Sequence, residues 1–540
     1  MKNNNRWYMN SVFYEINPRT FYDANGDGIG DFEGIAKKLD YLKSIGVDCI
    51  WLMPIYPSPL RDGGYDIADF YDVHPDFGTL NDLKALVEKV HQHDMRIILD
   101  LVVNHTSNEC EWFKQAESDP DSPFRDYYVW SDTDEKYSET RIIFLDTEVS
   151  NWTWSETAGM FYWHRFYSHQ PDLNYDNPKV RQEMINIMRF WMDLGIDGFR
   201  ADAVPYLIER EGTNCENLPE THEYLKELRQ LMDDEYPEAI LLAEANQWPQ
   251  DLIPYFSDGD EFHMAFHFPI MPRIFKSVAL GDPSSLIQTL KDTPVIPDNC
   301  QWCTFLRNHD ELTLEMVTEE DRQLMWQLYA PEPRMRLNLG IRRRLAPLLE
   351  GDTKKIELVY AILFSLPGTP IIYYGDEIGM GDFVQLPDRD GVRTPMQWSA
   401  EKNAGFSPAD PEELFLPVID TGQYRFEKIN VEAQLKEDQS LLNCLRSLIL
   451  TRKAYPVFST QSYTIKEDAG TGVFILEREG ILCLHSLSDG SKQVELGEGK
   501  YQVLLSSVPG LDSGSSVQKK LILESYTYAW LIQSFAQPSK

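Results

Sequence analysis

Residues 96–105 read Arg-Ile-Ile-Leu-Asp-Leu-Val-Val-Asn-His, and residues 198–203 read Gly-Phe-Arg-Ala-Asp-Ala. Both are rich in aliphatic residues, and both carry charged or polar side chains at their C-terminal ends: Asp100 with Asn104 and His105 in the first, Arg200 with Asp202 in the second. A strand of a parallel sheet covered on both faces by helices reads this way, as a nearly continuous apolar run. Six further runs of the kind occur at 12–16, 49–53, 239–245, 262–268, 303–307 and 370–374. Helical patterns separate them. Ile35, Leu39, Leu42 and Ile45 recur at helical spacing ahead of Gly46, which supplies a left-handed stop, and Thr79 with Asp82 resembles a capping box before Leu83, Leu86, Val87 and Val90. Strands alternating with helices in this number predict an α/β fold, a closed (β/α)8 TIM barrel.

Two stretches fall outside that pattern. Residues 106–178, rich in Trp, Tyr, Asp and Ser, are too long for a connection after the third strand and predict an inserted subdomain over the catalytic face. From residue 455 the chain changes to short alternating segments at 473–476, 481–487, 501–505 and 520–531, with Gly, Ser and Asp turns. These predict a C-terminal antiparallel β-sandwich domain over 455–540, which leaves 1–105 and 179–454 for the barrel. A stabilising cover for the barrel flank is the expected role of that domain.

The composition bounds the function. A formal net charge of −36 over 540 residues repels polyphosphates and anionic lipid and argues against a nucleic-acid partner. A neutral small-molecule substrate fits better. Residues 1–10 are polar and lack the apolar core of a secretory signal, and the apolar run at 358–374 is interrupted by Ser365, Pro367, Gly368 and Pro370. No membrane association is expected. Seven scattered cysteines, an odd number, suggest reduced thiols in a cytoplasm, and Cys300 with Cys303 reads as packing rather than a metal or redox pair. The sequence leaves open whether the chain assembles with copies of itself.

In a barrel of this kind the active site lies at the C-terminal ends of the strands. Those ends carry Asp100 to His105, Arg200 and Asp202, Glu244, and Asn308-His309-Asp310, so carboxylates, histidines and an arginine converge there. In that order and on those strands, the motifs resemble the α-amylase superfamily of glycoside hydrolases and transglycosidases, and the resemblance covers nearly the whole chain, insertion and C-terminal domain included. It implies a retaining mechanism with Asp202 as nucleophile, Glu244 as general acid/base and Asp310 as the third carboxylate, gripping sugar hydroxyls. Breaking an acetal needs such a carboxylate pair, and a separation of roughly 5 Å gives retention. Arg200 can hold Asp202 ionised, whereas Glu244 among like charges should keep a raised pKa. The resemblance further implies that His105 and His309 bind hydroxyls, that Tyr65 stacks on the glucose, and that Asp66 and Arg393 close the far end of the pocket.

Metal sites come from the same comparison. Residues 23–31 place Asp23, Asn25, Asp27, the carbonyl of Ile29 and Asp31 at alternate positions, as a calcium loop does, though without the terminal Glu of an EF-hand. Similar enzymes bind Ca²⁺ or Mg²⁺ there. A second Ca²⁺ is implied at Asn104, Asp172 and Glu209 with the carbonyls of Tyr206 and Leu207, pinning the insertion to the barrel. No organic cofactor is expected. Residues 212–222 and 305–344 resemble the branch of the superfamily that interconverts maltose and trehalose, which implies loops that enclose the released glucose. An α-glucosidase acting on malto- or isomalto-oligosaccharides would use the same carboxylates with a more open acceptor side. A non-catalytic scaffold would have lost them.

Overall fold

The computed structural model describes residues 6–466 and 472–534, so parts of the two terminal readings above lie outside the described residues. Eight parallel strands close into a barrel: β1 (Phe13–Ile16), β2 (Cys49–Leu52), β3 (Arg96–Val102), β4 (Gly198–Asp202), β5 (Ile240–Ala243), β6 (Met264–Phe266), β7 (Gln301–Phe305) and β8 (Thr369–Tyr373). Each strand pairs with its sequence neighbours in the barrel, and β8 pairs with β1. All residues of β1, β2, β4 and β5 are buried, because the interior fills one face and the helices cover the other.

Local chemistry fixes the crossovers. The helix Leu80–Gln92 starts at a full capping box made by Thr79 and Asp82, a device worth about 1 kcal/mol. The helix Leu39–Ile45 ends at Gly46 with φ 96°, as its sequence predicts. At 106 the chain leaves the barrel, forms a helix (Glu111–Ser118) and a three-stranded sheet (Trp130–Ser131, Met160–Trp163, Trp152–Ser155), and returns into the long helix Pro178–Leu194. Residues 305–344 contain a small sheet of Leu312–Thr313, Gly340–Ile341 and Arg336–Leu337 beside the helix Glu319–Tyr329.

The C-terminal strands form one six-stranded antiparallel sheet among the described residues. Both faces of its inner strands carry buried residues. Phe474, Leu476, Cys483 and Trp530 join the barrel's core, while Val473, Ile475, Leu484 and Leu531 belong to a separate core on the opposite face. Register shifts in Lys492–Ser506 bend that strand, as bulges do. The buried Arg452 and Arg478 lock this sheet to the barrel by donating to carbonyls at the C-terminal end of the helix Thr353–Ser365, including Phe364 at 2.6 Å and Ser365 at 2.7 Å. No helix among the described residues is long and apolar enough to cross a membrane.

One position tests the closure of the barrel. Gly198, the first residue of β4, has φ 144°, and a Cβ there would lie 2.2 Å from the carbonyl oxygen of Ile240 on β5. At Gly212, by contrast, φ is 76° and nothing lies within 4 Å of a built Cβ. Gly212→Ala is expected to cost only the left-handed strain of about 1–3 kcal/mol. Gly198→Ala is expected to lose clearly more in a thermal melt because two strands must part, and equal losses would contradict this.

Candidate active site

Strand register assembles the site. Asp100 on β3 sits directly opposite Arg200 on β4, and Ala201 opposite Ala243, so the next residues, Asp202 and Glu244, are neighbours at the rim. The Arg200 guanidinium, 1% exposed, serves all three carboxylates. Its Nη1 donates to Asp202 Oδ1 at 2.6 Å and also to Asp100, and its Nη2 pairs with Glu244. Asp100 is itself fixed by the Trp51 indole N–H at 2.8 Å and the Tyr65 hydroxyl at 3.3 Å. Arg200 lies beneath the two reactive carboxylates and outside the cavity lining. Its role is therefore to hold them rather than to touch the sugar.

The two carboxyl groups differ in acidity. Burial pushes Glu244 up to about 7, with the Asp202 charge adding and Arg200 opposing; burial pushes Asp202 up to about 6, with Arg200 opposing. Of the two neighbouring carboxyl groups the weaker acid, Glu244, keeps the proton. One carboxylate thus stays free to attack while its neighbour is poised to donate.

The closed end of the cavity is built around Asp310. Burial opposes its charge, but His309, Arg389 and Arg393 outweigh burial and hold its carboxyl well below the usual range. Arg389 reaches Asp310 Oδ1 at 2.9 Å and Asp62 at 2.5 Å, and Arg393 reaches the same Oδ1 at 3.3 Å. Tyr65 stacks on His309 with ring centroids 5.3 Å apart. His105 lines the cavity with Nε2 unpartnered, and burial lowers its pKa to about 3, so it presents a neutral ring to a hydroxyl.

Here two expectations are corrected. Asp66 is fully buried and does not line the cavity; its oxygens accept from the Ser58 hydroxyl at 2.8 Å and the backbone of Arg61 and Asp62 at 3.1 and 3.2 Å. It builds the turn that presents Tyr65. Arg393 passes behind Gly63, where a Cβ would lie 2.3 Å from its Nη1, and donates to the His309 carbonyl at 3.0 Å. The ion pair facing the cavity is Asp62 with Arg389. Both residues stand within four of the ones singled out from sequence, but spacing alone does not say which acid or which arginine turns inward.

The remaining lining was not legible: Phe144 and Phe166 from the insertion, Asn246 after β5, Phe268 after β6, and Glu311, Thr313 and Glu315 after β7. With the residues above they line a cavity of about 130 Å³ that stays partly open to solvent. Three chain segments meet over this space at Arg141. Its guanidinium pairs with Glu216 at 2.8 Å and Glu315 at 3.1 Å, and Arg165 joins Glu216 at 2.9 Å. Asn338 N–H donates to Asp146 at 2.8 Å, and Asn246 donates to Thr313 at 3.1 Å. The insertion and the segments after β4, β5 and β7 are thereby tied together.

Of the two proposed metal positions, the one at the joint between insertion and barrel has the donors of a hard cation. Asn104 Oδ1, Asp172 Oδ2 and Glu209 Oε1 are all buried without a hydrogen-bond partner. Burial drives Asp172 up to about 8 and Glu209 well above the usual carboxylate range, with Asp172 adding to the latter. Unpaired buried oxygens of this kind are costly. In the 23–31 loop the oxygens are already engaged: Asp23 accepts from the amides of Gly26 at 2.6 Å and Gly28 at 2.8 Å, and Asp31 from those of Ala24 at 2.9 Å and Gly34 at 2.6 Å. Asn25 and Asp27 likewise accept the amides of Asp27 and Ile29, each at 2.9 Å. No group of three or more His, Cys, Asp or Glu side chains among the described residues is gathered as metal ligands.

Known proteins with this arrangement are informative. The family model described as alpha amylase, catalytic domain, matches residues 15–330 and 342–461. A trehalose synthase/amylase of Mycolicibacterium smegmatis is 55% identical over 91% of this chain and 86% of its own length. A trehalose synthase of Pimelobacter sp. is 53% identical over 92% of this chain and 90% of its own. The crystal structure of the trehalulose synthase of Pseudomonas mesoacidophila superposes with a TM-score of 0.80 at 27% identity, covering 98% of this chain and 99% of that one.

The carboxylate pair sets the pH response. Asp202 must be ionised and Glu244 protonated, so kcat/KM should rise with pH through about 6 and fall above about 7. The two limbs belong to the pair as a unit. A profile that is flat between pH ~5 and ~8 would contradict the assignment.

Proposed function

We propose that this chain, which belongs to the α-amylase family, interconverts maltose and trehalose by transferring one glucosyl unit within an enclosed, retaining site. The observation that carries the reading is a cavity stopped at one end by Asp62 and Arg389 and narrowed at the other by Arg141, which ties the insertion to Glu216 and to the cavity-lining Glu315. Asp202 and Glu244 stand between them on one guanidinium. Glu244 protonates the glycosidic oxygen while an Asp202 oxygen attacks the anomeric carbon, so the bond to the leaving glucose breaks and a glucosyl ester forms. The glucose stays behind Phe144, Phe166 and Glu315 and turns. Its anomeric hydroxyl then gives its proton to Glu244 and attacks the same carbon, which frees Asp202. Two inversions leave the configuration retained. A held acceptor has a very large effective concentration compared with glucose in solution, which favours isomerisation over exchange.

An α-glucosidase opening malto- or isomalto-oligosaccharides is the second reading, and it needs water at the position that the Arg141 network covers. We further infer a Ca²⁺ at Asn104, Asp172 and Glu209 with the carbonyls of Tyr206 and Leu207, and propose Ca²⁺ or Mg²⁺ for the 23–31 loop. Such ions would stabilise the fold and fix the insertion. All seven cysteines are free, which suits a reducing cytoplasm.

Two outcomes test this. Maltose alone should yield mainly trehalose with minor glucose, trehalose should run back to maltose, and labelled free glucose should enter product poorly. Arg141→Ala should raise the glucose-to-trehalose ratio roughly fivefold, the effect of ~1 kcal/mol on competing barriers. Mostly glucose from the unaltered enzyme would replace this reading with the hydrolase. Chelation should lower the melting temperature, since an ion at 100 times its Kd adds about 2.7 kcal/mol, and Glu209→Gln should abolish most of that shift. An unchanged melt on chelation would remove the metal.

A further inference from the structure

Glu15 lies on β1, opposite Tyr373 on β8 and Trp51 on β2, and is fully buried inside the barrel. A lone carboxylate there is expensive unless it is paired. Its Oε1 meets Nδ1 of His309 in a very short contact, and Oε2 has no hydrogen-bond partner. On the other side of the same ring, His309 Nε2 lies 3.0 Å from Asp310 Oδ2 and 2.9 Å from the Tyr65 hydroxyl.

The ring therefore stands between two carboxylates. A neutral imidazole carries one N–H, so one of its nitrogens would turn a lone pair on a carboxylate oxygen. Only the imidazolium donates to both.

We propose that Glu15 is a positioning residue for the reaction: by accepting from Nδ1 it keeps His309 doubly protonated, with Nε2–H set between the Tyr65 hydroxyl and Asp310, so that the imidazolium beside Asp310 keeps that carboxylate ionised and fixed as an acceptor for sugar hydroxyls. Other groups around the ring act on the same balance. Tyr65 comes from the loop after β2, with Asp100 and Arg200 behind it, and Arg393 holds the His309 carbonyl from the segment after β8. Burial disfavours the charge on His309, but Asp310 and Glu15 overcome it and push the pKa up to about 9. The ring stacks on Tyr65 and turns its edge to Trp51, so it has no freedom to find another partner.

The inference deepens the retaining reading of the site and rests on it. Maltose cannot resolve it, because Glu244 loses its proton on the same side of the profile. The probe is α-glucosyl fluoride, whose leaving group needs little protonation, so that the alkaline limb of kcat/KM reports His309. The unaltered enzyme should show that limb near 9. Glu15→Gln should move it down by about 1–3 units, the effect of removing a neighbouring opposite charge. Glu15→Asp, which keeps the charge, should return it part of the way. A merely structural role would lower the melting temperature of Glu15→Gln and leave the limb in place, and that result overturns the proposal. If Glu15→Gln does not fold, the unaltered enzyme decides, because a limb near 9 supports the proposal and none between pH ~8 and ~10 overturns it. Failure of the unaltered enzyme to turn over α-glucosyl fluoride at all would instead overturn the retaining reading, and this inference with it.

Discussion

Everything in the site hangs on the Arg200 guanidinium. Asp100, Asp202 and Glu244 crowd around one buried cation, and the barrel's hydrogen-bond register sets Asp100 opposite Arg200 and Asp202 beside Glu244. Three carboxylates so close would repel one another without it, and breaking a buried pair of this kind costs about 3–5 kcal/mol. The fork also sets the separation of the reactive pair and leaves burial to decide which member keeps the proton. A register slip on β4 would turn both Arg200 and Asp202 to the other face. Fold and chemistry are therefore fixed by the same strand pairing.

A second tier of charge sits below the sugar. Glu15, His309, Asp310, Arg389 and Asp62 form a continuous chain of charged pairs, buried except at Asp310, that runs from the barrel interior to the Asp62 end of the cavity. Each group in it is paired, which makes the sugar-binding end rigid. Beside the cavity the Arg141 network is more exposed and joins segments distant in sequence. A paired, rigid floor suits a reaction that must hold one glucosyl unit in place while its acceptor changes.

The barrel could be read from the chain because helix-covered strands keep a period that loops lack, and because Asp100, Arg200, Asp202, Glu244 and Asp310 all fall where strands end. The details that failed are those decided by side-chain direction. Asp62 and Asp66 flank the same tyrosine, and Arg389 and Arg393 stand on either side of one short turn, so only the folded chain shows which of each faces the sugar. Arg141, Glu216 and Glu315 lie in three separate segments with no periodic signal, and nothing in sequence joins them. Glu15 reads as one more strand residue until His309 is brought against it. The metal position at Asn104, Asp172 and Glu209 came from family resemblance, and its physical counterpart is the set of three oxygens without donors.

The most direct test of the account is to trap the intermediate. A fluorinated glucosyl fluoride that forms the glycosyl-enzyme ester faster than it is released should add one glucosyl unit to the protein, and peptide mapping should place that mass on Asp202. Label on Glu244 or Asp310, or a substrate turned over with inverted configuration and no adduct, would contradict the arrangement of nucleophile and acid that Arg200 holds together.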